Sequence, residues 1–475
     1  MDQSSPFSRR QFIATSAMSL AFAAMQRAVA DDAKAVTTPL REQSGPLALP
    51  PGFRQRVFSR MSEPMDDGLR VPGKHDGMCA MPVSSNAADA RKVLLIRNHE
   101  IDPAMEAQCG AFGDNLELID RIDRSKLYDN GFGGRPMPGG TTTLVYNLDT
   151  ERVEQQFLSL GGTGVNCAGG VADWRERTPT WITCEEWTRR ADGKLVERDH
   201  GYCFEVPARA DAGLVAARPL PALGRFLHEA VAVDAVRGIV YLTEDRSDSV
   251  LYRFLPATVG ALDAGRLQVL LAVEKPSLDT RNWPPVDAKG TVLGPPVISV
   301  RPGDRFTARW IDIDGIDSPK DDLRFRAFER GAMRFARCEG IWQGGNGIYI
   351  AATTGGPMNL GQLWRYRPSE FEGTADEATR PGTIELFLES HDRTVLKNCD
   401  NLCVAPCGDL FVCEDGEGRD GIVRVRPDGT VHRFALNMLN TCELAGVCFS
   451  PDGSTLFVNV QEPGMTIAVT GPWQR

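Results

Sequence analysis

Residues 399–415 read CDNLCVAPCGDLFVCED. After Cys399 comes an acid, Asp400, then an apolar run; Ala-Pro-Cys-Gly interrupts it, and a second apolar run closes on two more acids. Two β-prone runs around a Pro/Gly turn predict an antiparallel hairpin. The same grammar recurs at CELAGVCFSPDGSTLFVNVQ from Cys442, CEGIWQGGNGIYIAATT from Cys338 and HEAVAVDAVRGIVYLTED from His228. With wider gaps it recurs at NCAGGVADW and TWITCEE from Asn166, and at HDGMCAMPV and KVLLIRNHE from His75. Further strands fit between copies, among them GYCFEV, VLYRFL, GQLWRYR and GIVRVRP, and Asp114 to Asp123 suits one short helix. Six such units predict an all-β fold, a six-bladed β-propeller with loop insertions and a central metal site. A β-sandwich is the alternative, but it does not call for six similar hairpins. The longest insertions include a charged, Pro-containing stretch from Arg281 to Glu329, and insertions of this kind decorate a propeller face and shape its site.

Aligning the copies puts Asp76, Cys167, Glu229, Glu339, Asp400 and Glu443 in one column at the start of the first strand. A second column, at the end of the second strand, holds Glu100, Glu185–Glu186, Glu244–Asp245, Thr354, Glu414–Asp415 and Gln461. In an antiparallel hairpin these two places lie at the same end. Both columns are therefore expected at one mouth of the channel. Crowded carboxylates repel one another and take up protons unless cations hold them ionised. Oxygen-rich sites suit hard cations, and a lone thiolate among them points to a transition metal at that spot. With six histidines in the chain, a His-rich zinc site is disfavoured. Arg337, two residues before Glu339, is either a surface ion-pair partner or, if it faces the mouth, a binder of a substrate oxyanion.

The rest of the chain narrows the class. It has 475 residues, 42% apolar and 24% charged, with a formal net charge of -10. No basic stripe suggests nucleic-acid binding. Paired Arg9 and Arg10, an apolar run to about Ala24 and Ala28-Val29-Ala30 read as a cleaved export signal of the twin-arginine type. The expected domains are 1–30, the signal peptide, 31–48, an N-terminal linker, and 49–475, a single propeller. No second run approaches membrane length. Twelve cysteines are too sparse for a disulfide scaffold. Serine-hydrolase elbows, Walker loops and H-E-x-x-H motifs do not occur.

Several blocks in one order resemble the PhoX family of secreted alkaline phosphatases. They are DGM at 76–78, RNHE at 97–100, NCAGG at 166–170, WITCEE at 181–186, GRFLHEA at 224–230, YLTEDR at 241–246, FARCEG at 335–340, FSPDG at 449–453 and VNVQEPGMTIAVTGPW at 458–473. The resemblance implies a six-bladed propeller that hydrolyses phosphomonoesters at a cluster of two ferric irons and three calciums. It implies Cys167 as the iron-ligating thiolate, with Glu229 and Glu339 helping to hold the irons. Asn98, Glu100, Glu185, Glu186, Asp400, Asp415 and Glu443 would complete the cluster, mainly around calcium, and Arg337 would hold the substrate phosphate. It also implies small phosphoester substrates and a monomer, exported by the twin-arginine machinery to the periplasm or beyond. This chain is shorter than many catalytic members, so the matching ligands speak for metal more strongly than for any one substrate. A calcium-dependent propeller hydrolase of lactones or other esters, and a non-catalytic binding propeller, are the competing readings.

Overall fold

The computed structural model describes residues 35–36, 38–174, 177–287 and 289–473. The export signal read from residues 1–30 lies outside them.

Each expected hairpin forms. His75–Pro82 pairs with Lys92–His99, Asn166–Ala172 with Thr180–Glu185, and His228–Asp234 with Ile239–Glu244. Cys338–Gly344 pairs with Gly347–Ala352, Cys399–Val404 with Leu410–Glu414, and Leu444–Phe449 with Thr455–Val460. The six first strands pack side by side in a closed ring, each against the next, and the last returns to His75–Pro82. Close approach at the ring's centre requires small residues. A Cβ on Gly340 would stand 2.4 Å from Asp400 O, and one on Gly77 2.4 Å from Ala168 Cα.

The architecture is all-β and propeller-like, but six separate blades are not what forms. Among the described residues there are four smaller sheets and one sheet of nine strands. The nine-stranded sheet begins at His228–Asp234 and ends at Cys338–Gly344, two neighbours in the ring, so it curls almost back onto itself. Arg305–Asp312, contributed by the long insertion, makes the join. Its residues 308–312 pair with Gly265–Ala272, and its residues 305–307 with Thr383–Glu389. Two outer edges that would otherwise stand open are thus satisfied by one strand.

The sheet of the C-terminal strands is completed by an N-terminal one, Arg54–Arg60, against Met465–Thr470. Within the segment read as a linker, Ala35–Val36 and Leu47–Ala48 pair with Val431–Asn437. Strands are buried on both faces because sheets stack around the ring; Lys92–His99 is buried at every position after the first. The short helix expected at 114–123 is reduced to the single 3-10 turn Ile119–Arg121, and an α-helix, Leu323–Glu329, lies in the insertion. Among the described residues, no helix is long and apolar enough to cross a membrane.

Candidate metal centre

In five of the six first strands the ladder slips directly after the opening pair. The slips fall between His75 and Met78, Asn166 and Gly169, His228 and Val231, Cys338 and Ile341, and Cys399 and Leu402. Each slip leaves two residues inside the bulge, and the first of the two is Asp76, Cys167, Glu229, Glu339 and Asp400 respectively. A bulge re-aims the side chain it carries. Repeated around a ring, it sends four carboxylates and a thiol toward one centre.

The centre resolves into three overlapping groups, Asp76–Glu100–Cys167, Cys167–Glu186–Glu229 and Glu229–Glu339–Asp400, whose ligand atoms lie within 4.8 Å of one another. Cys167 Sγ stands 3.0 Å from Glu229 Oε1 and 3.8 Å from Asp76 Oδ1. Gln461 Nε2 donates to Asp76 Oδ2 at 3.1 Å and also to Glu100.

Burial, then the charges of Glu100 and Asp400, push the Asp76 carboxyl well above the usual carboxylate range. Burial and the charges of Asp400 and Asp76 do the same to Glu229, and burial with Glu186 to Glu100. Glu186 and Glu339 are raised in the same way. The Cys167 thiol is pushed up by burial and by Asp76 and Glu229. So many mutually repelling donors fit polyvalent cations, with oxygen donors for hard ions and one sulfur for a softer one.

Arg337 sets one positive charge at the edge. Its Nη2 is 2.6 Å from Glu339, its Nε 2.9 Å from Asp245 and its Nη1 3.9 Å from Asp415. Glu339 and Asp245 hold its guanidinium firmly protonated against the cost of burial. Its backbone is left-handed, φ 54°, as are Lys74, Val165 and Asn398 at the same place in their own hairpins.

Not every expected ligand faces the centre. Asn98 uses its amide within the fold: Nδ2 donates to Cys167 O at 3.1 Å and Ala168 O at 2.7 Å, and Oδ1 accepts from Trp181 Nε1 at 2.8 Å. It braces the bulge that carries Cys167. Glu185 turns into its own sheet, accepting from Gly164 N, His200 Nδ1 at 2.6 Å, Gly201 N and Tyr202 N. Burial opposes the charge on His200, but Glu185 and Asp129 together lift it to about 9. The other acidic doublets divide likewise. Glu244 accepts from Tyr252 Oη at 2.8 Å, and Glu414 from Lys397 N, Gly421 N and Arg433, while Asp245 and Asp415 reach Arg337. Alternation along a strand puts neighbours on opposite faces.

The sixth copy is offset. Leu444 pairs with Val460 and the slip comes later, between Ala445 and Cys448. Glu443 therefore occupies the place that Arg337 and Asn398 hold in their copies, and is only partly buried. Burial and the charges of Asp76, Asp400, Asp415 and Glu100 still push it well above the usual range, so it borders the cluster. In the Cys338 copy the residue after the closing pair is Thr353, not Thr354. Asp76, Asp245 and Gln461 stand in the sequence columns but not among the expected ligands; the structure brings all three to the mouth.

A family model described as Alkaline phosphatase PhoX matches residues 34–132 and 133–464. No curated protein matches the chain. Among solved structures, Pseudomonas fluorescens PhoX in complex with vanadate, a transition state analogue, aligns over 93% of this chain and 97% of its own. It shares 17% identity at a TM-score of 0.61, a likeness of fold. Virginiamycin B lyase from Staphylococcus aureus covers 88% and 99% at 10% identity and TM-score 0.37. A gluconolactonase from Xanthomonas campestris covers 91% and 100% at 12% and 0.36.

Proposed function

Because the chain belongs to the PhoX alkaline phosphatase family, we propose that the acidic mouth of its ring is the active site of a metal-dependent phosphatase acting on phosphomonoesters. The observation that carries this reading is the row of bulges that delivers Asp76, Cys167, Glu229, Glu339 and Asp400 to one place beside a guanidinium. A fold that needed only stability would not gather buried acids whose protonation it must then tolerate. Cys167 also argues against a calcium-only hydrolase of lactones, and Arg337 against a partner-binding propeller; neither of those functions needs these residues.

In this reading the cluster holds two ferric irons and three calciums. Cys167, Glu229 and Glu339 form the iron side, and Glu100, Glu186, Asp400, Asp415 and Glu443 the calcium side, with Asp76 added to the set. When bound, such cations neutralise phosphoryl oxygens and lower the pKa of an attacking water. Arg337 supplies planar donors for two oxygens of the phosphate. Asp245 and Glu339 fix the guanidinium before substrate arrives, so little orientation is lost on binding. Asn98 and Gln461 hold the Cys167 bulge and the Asp76–Glu100 pair in place. The protein acts outside the cytoplasm, exported folded through the twin-arginine route, as a monomer.

The test is metal analysis of natively exported protein paired with a phosphatase assay. Iron and calcium should co-purify, and hydrolysis of 4-nitrophenyl phosphate should disappear on chelation and return on reloading. Metal-replete protein inert toward every phosphoester would end this reading.

A further inference from the structure

The long insertion carries a tryptophan to the rim of the mouth. Trp283 Nε1 donates to Thr354 O at 2.7 Å. Thr354 adjoins Thr353, the residue after the closing pair of its hairpin, and its own Oγ1 is buried without a partner. The Arg281 guanidinium stands 4.7 Å from the Trp283 ring centre. Arg281 Nη1 donates to Ser247 O at 3.2 Å, and its carbonyl accepts from Gly356 N at 2.9 Å. These two anchors lie on either side of Arg337. Arg337 N donates to Arg246 O, and Arg337 O accepts from Thr353 N, both at 2.9 Å. The Arg281–Trp283 segment therefore spans the two loops between which the backbone of Arg337 is held.

Beyond Trp283, Val286 is bridged to Val292, and Val297 N–H donates to Trp283 O at 3.1 Å. Val286, Leu293 and Val297 stand exposed. The indole itself is half-buried, its nitrogen tied down and its ring backed by a cation. A ring held this way binds another flat ring with little loss of side-chain freedom.

We propose that Trp283 is the shelf for the leaving group, and that the preferred substrates are phosphomonoesters whose alcohol carries a planar aromatic ring. The inference rests on the phosphatase reading and specifies the substrate class of the same mouth. An aromatic ester stacks on the indole while Arg337 holds its phosphate; an aliphatic ester of similar size gains nothing from the shelf.

The experiment compares Trp283→Ala, Trp283→Phe and the unaltered protein, all loaded with iron and calcium, on 4-nitrophenyl phosphate, adenosine monophosphate and glycerol 3-phosphate. Trp283→Ala should raise KM roughly tenfold for ring-bearing esters, the size of one stacking contact. The kcat values, the metal content and the kinetics on glycerol 3-phosphate should stay as they were, and Trp283→Phe should recover most of the loss. An equal fall on all three substrates, or no change on any, overturns the shelf and leaves the phosphatase reading standing. If the unaltered protein hydrolyses none of them, the phosphatase reading falls. The shelf is then judged by fluorescence: adenosine monophosphate should quench the unaltered protein more than Trp283→Phe, and equal quenching overturns it.

Discussion

Cys167 Sγ lies 3.0 Å from Glu229 Oε1, and the two residues sit in the bulges of neighbouring strands in the ring. Burial and carboxylate neighbours both oppose a thiolate at Cys167. A thiol there can donate to Glu229, but burial and the charges of Asp400 and Asp76 still push the Glu229 carboxyl well above the usual range. A cation between them reverses the preference, because it favours the ionised form of both. In the proposed reading the pair is two ligands of one ion, not a hydrogen bond kept for stability.

Replacing Cys167 with Ser should therefore lower iron content about tenfold or more, the scale on which a single metal-site change acts. The side chain is similar in size, so circular dichroism and the thermal midpoint of the metal-free protein should barely move. Iron retained at the original ratio would remove Cys167 from the ligand set.

Arg337→Ala should leave iron and calcium bound and lower turnover of phosphomonoesters about 10²–10³-fold, as for loss of one preorganised charge-assisted donor. Removing it also frees Asp245 and Glu339 from an ion pair, so affinity for an added cation should rise, not fall. Kinetics like those of the unaltered protein would show that Arg337 serves only its neighbouring acids.

Much of this site is legible in the amino-acid sequence. The hairpins, the turn chemistry and the two columns follow from local pattern, and the columns contain Asp76, Asp245 and Gln461. What escapes depends on registers that local pattern does not carry. The pairing of Asn166 with Glu185 decides which member of Glu185–Glu186 faces the mouth, and local pattern does not show that register. The offset of Glu443 arises because the sixth hairpin slips after Ala445 and not before it. Asn98 sits beside motif residues in the sequence, yet its amide is consumed by backbone and by Trp181. The nine-stranded sheet depends on Arg305–Asp312 pairing with two strands far away in the chain, a choice made by open edges and not by propensity.

The doublet at 185–186 separates structure from metal. Glu186→Gln should lower metal content with a modest effect on the metal-free fold. Glu185→Leu should do the reverse: it strips a buried partner from His200 and from three backbone N–H groups, a loss of about 3–5 kcal/mol for breaking a buried pair. Urea unfolding of the metal-free variants, with metal analysis of the loaded ones, checks both. Equal metal loss without destabilisation in Glu185→Leu would restore it to the ligand set.

Chelation should change how stability depends on pH, and the sign follows from the carboxyls. Burial and like charges push Asp76, Glu100, Glu229, Glu339 and Glu443 well above the usual carboxylate range. In the metal-free fold these groups keep protons that the unfolded chain releases near pH 4 or slightly above, at ~3.9 for Asp and ~4.3 for Glu. A carboxyl whose folded pKa is raised stabilises the fold fully below its unfolded pKa and loses that contribution as pH rises toward the folded value. Chelated protein should thus weaken from about pH 5 upward, by about 1.4 kcal/mol per pH unit for each proton retained. Loaded protein should not, since bound cations keep the same groups ionised in the fold and the proton difference disappears. Thermal midpoints of chelated and reloaded protein between about pH 5 and about pH 8 measure the divergence. Parallel curves would mean that these acids are relieved by something other than bound cations.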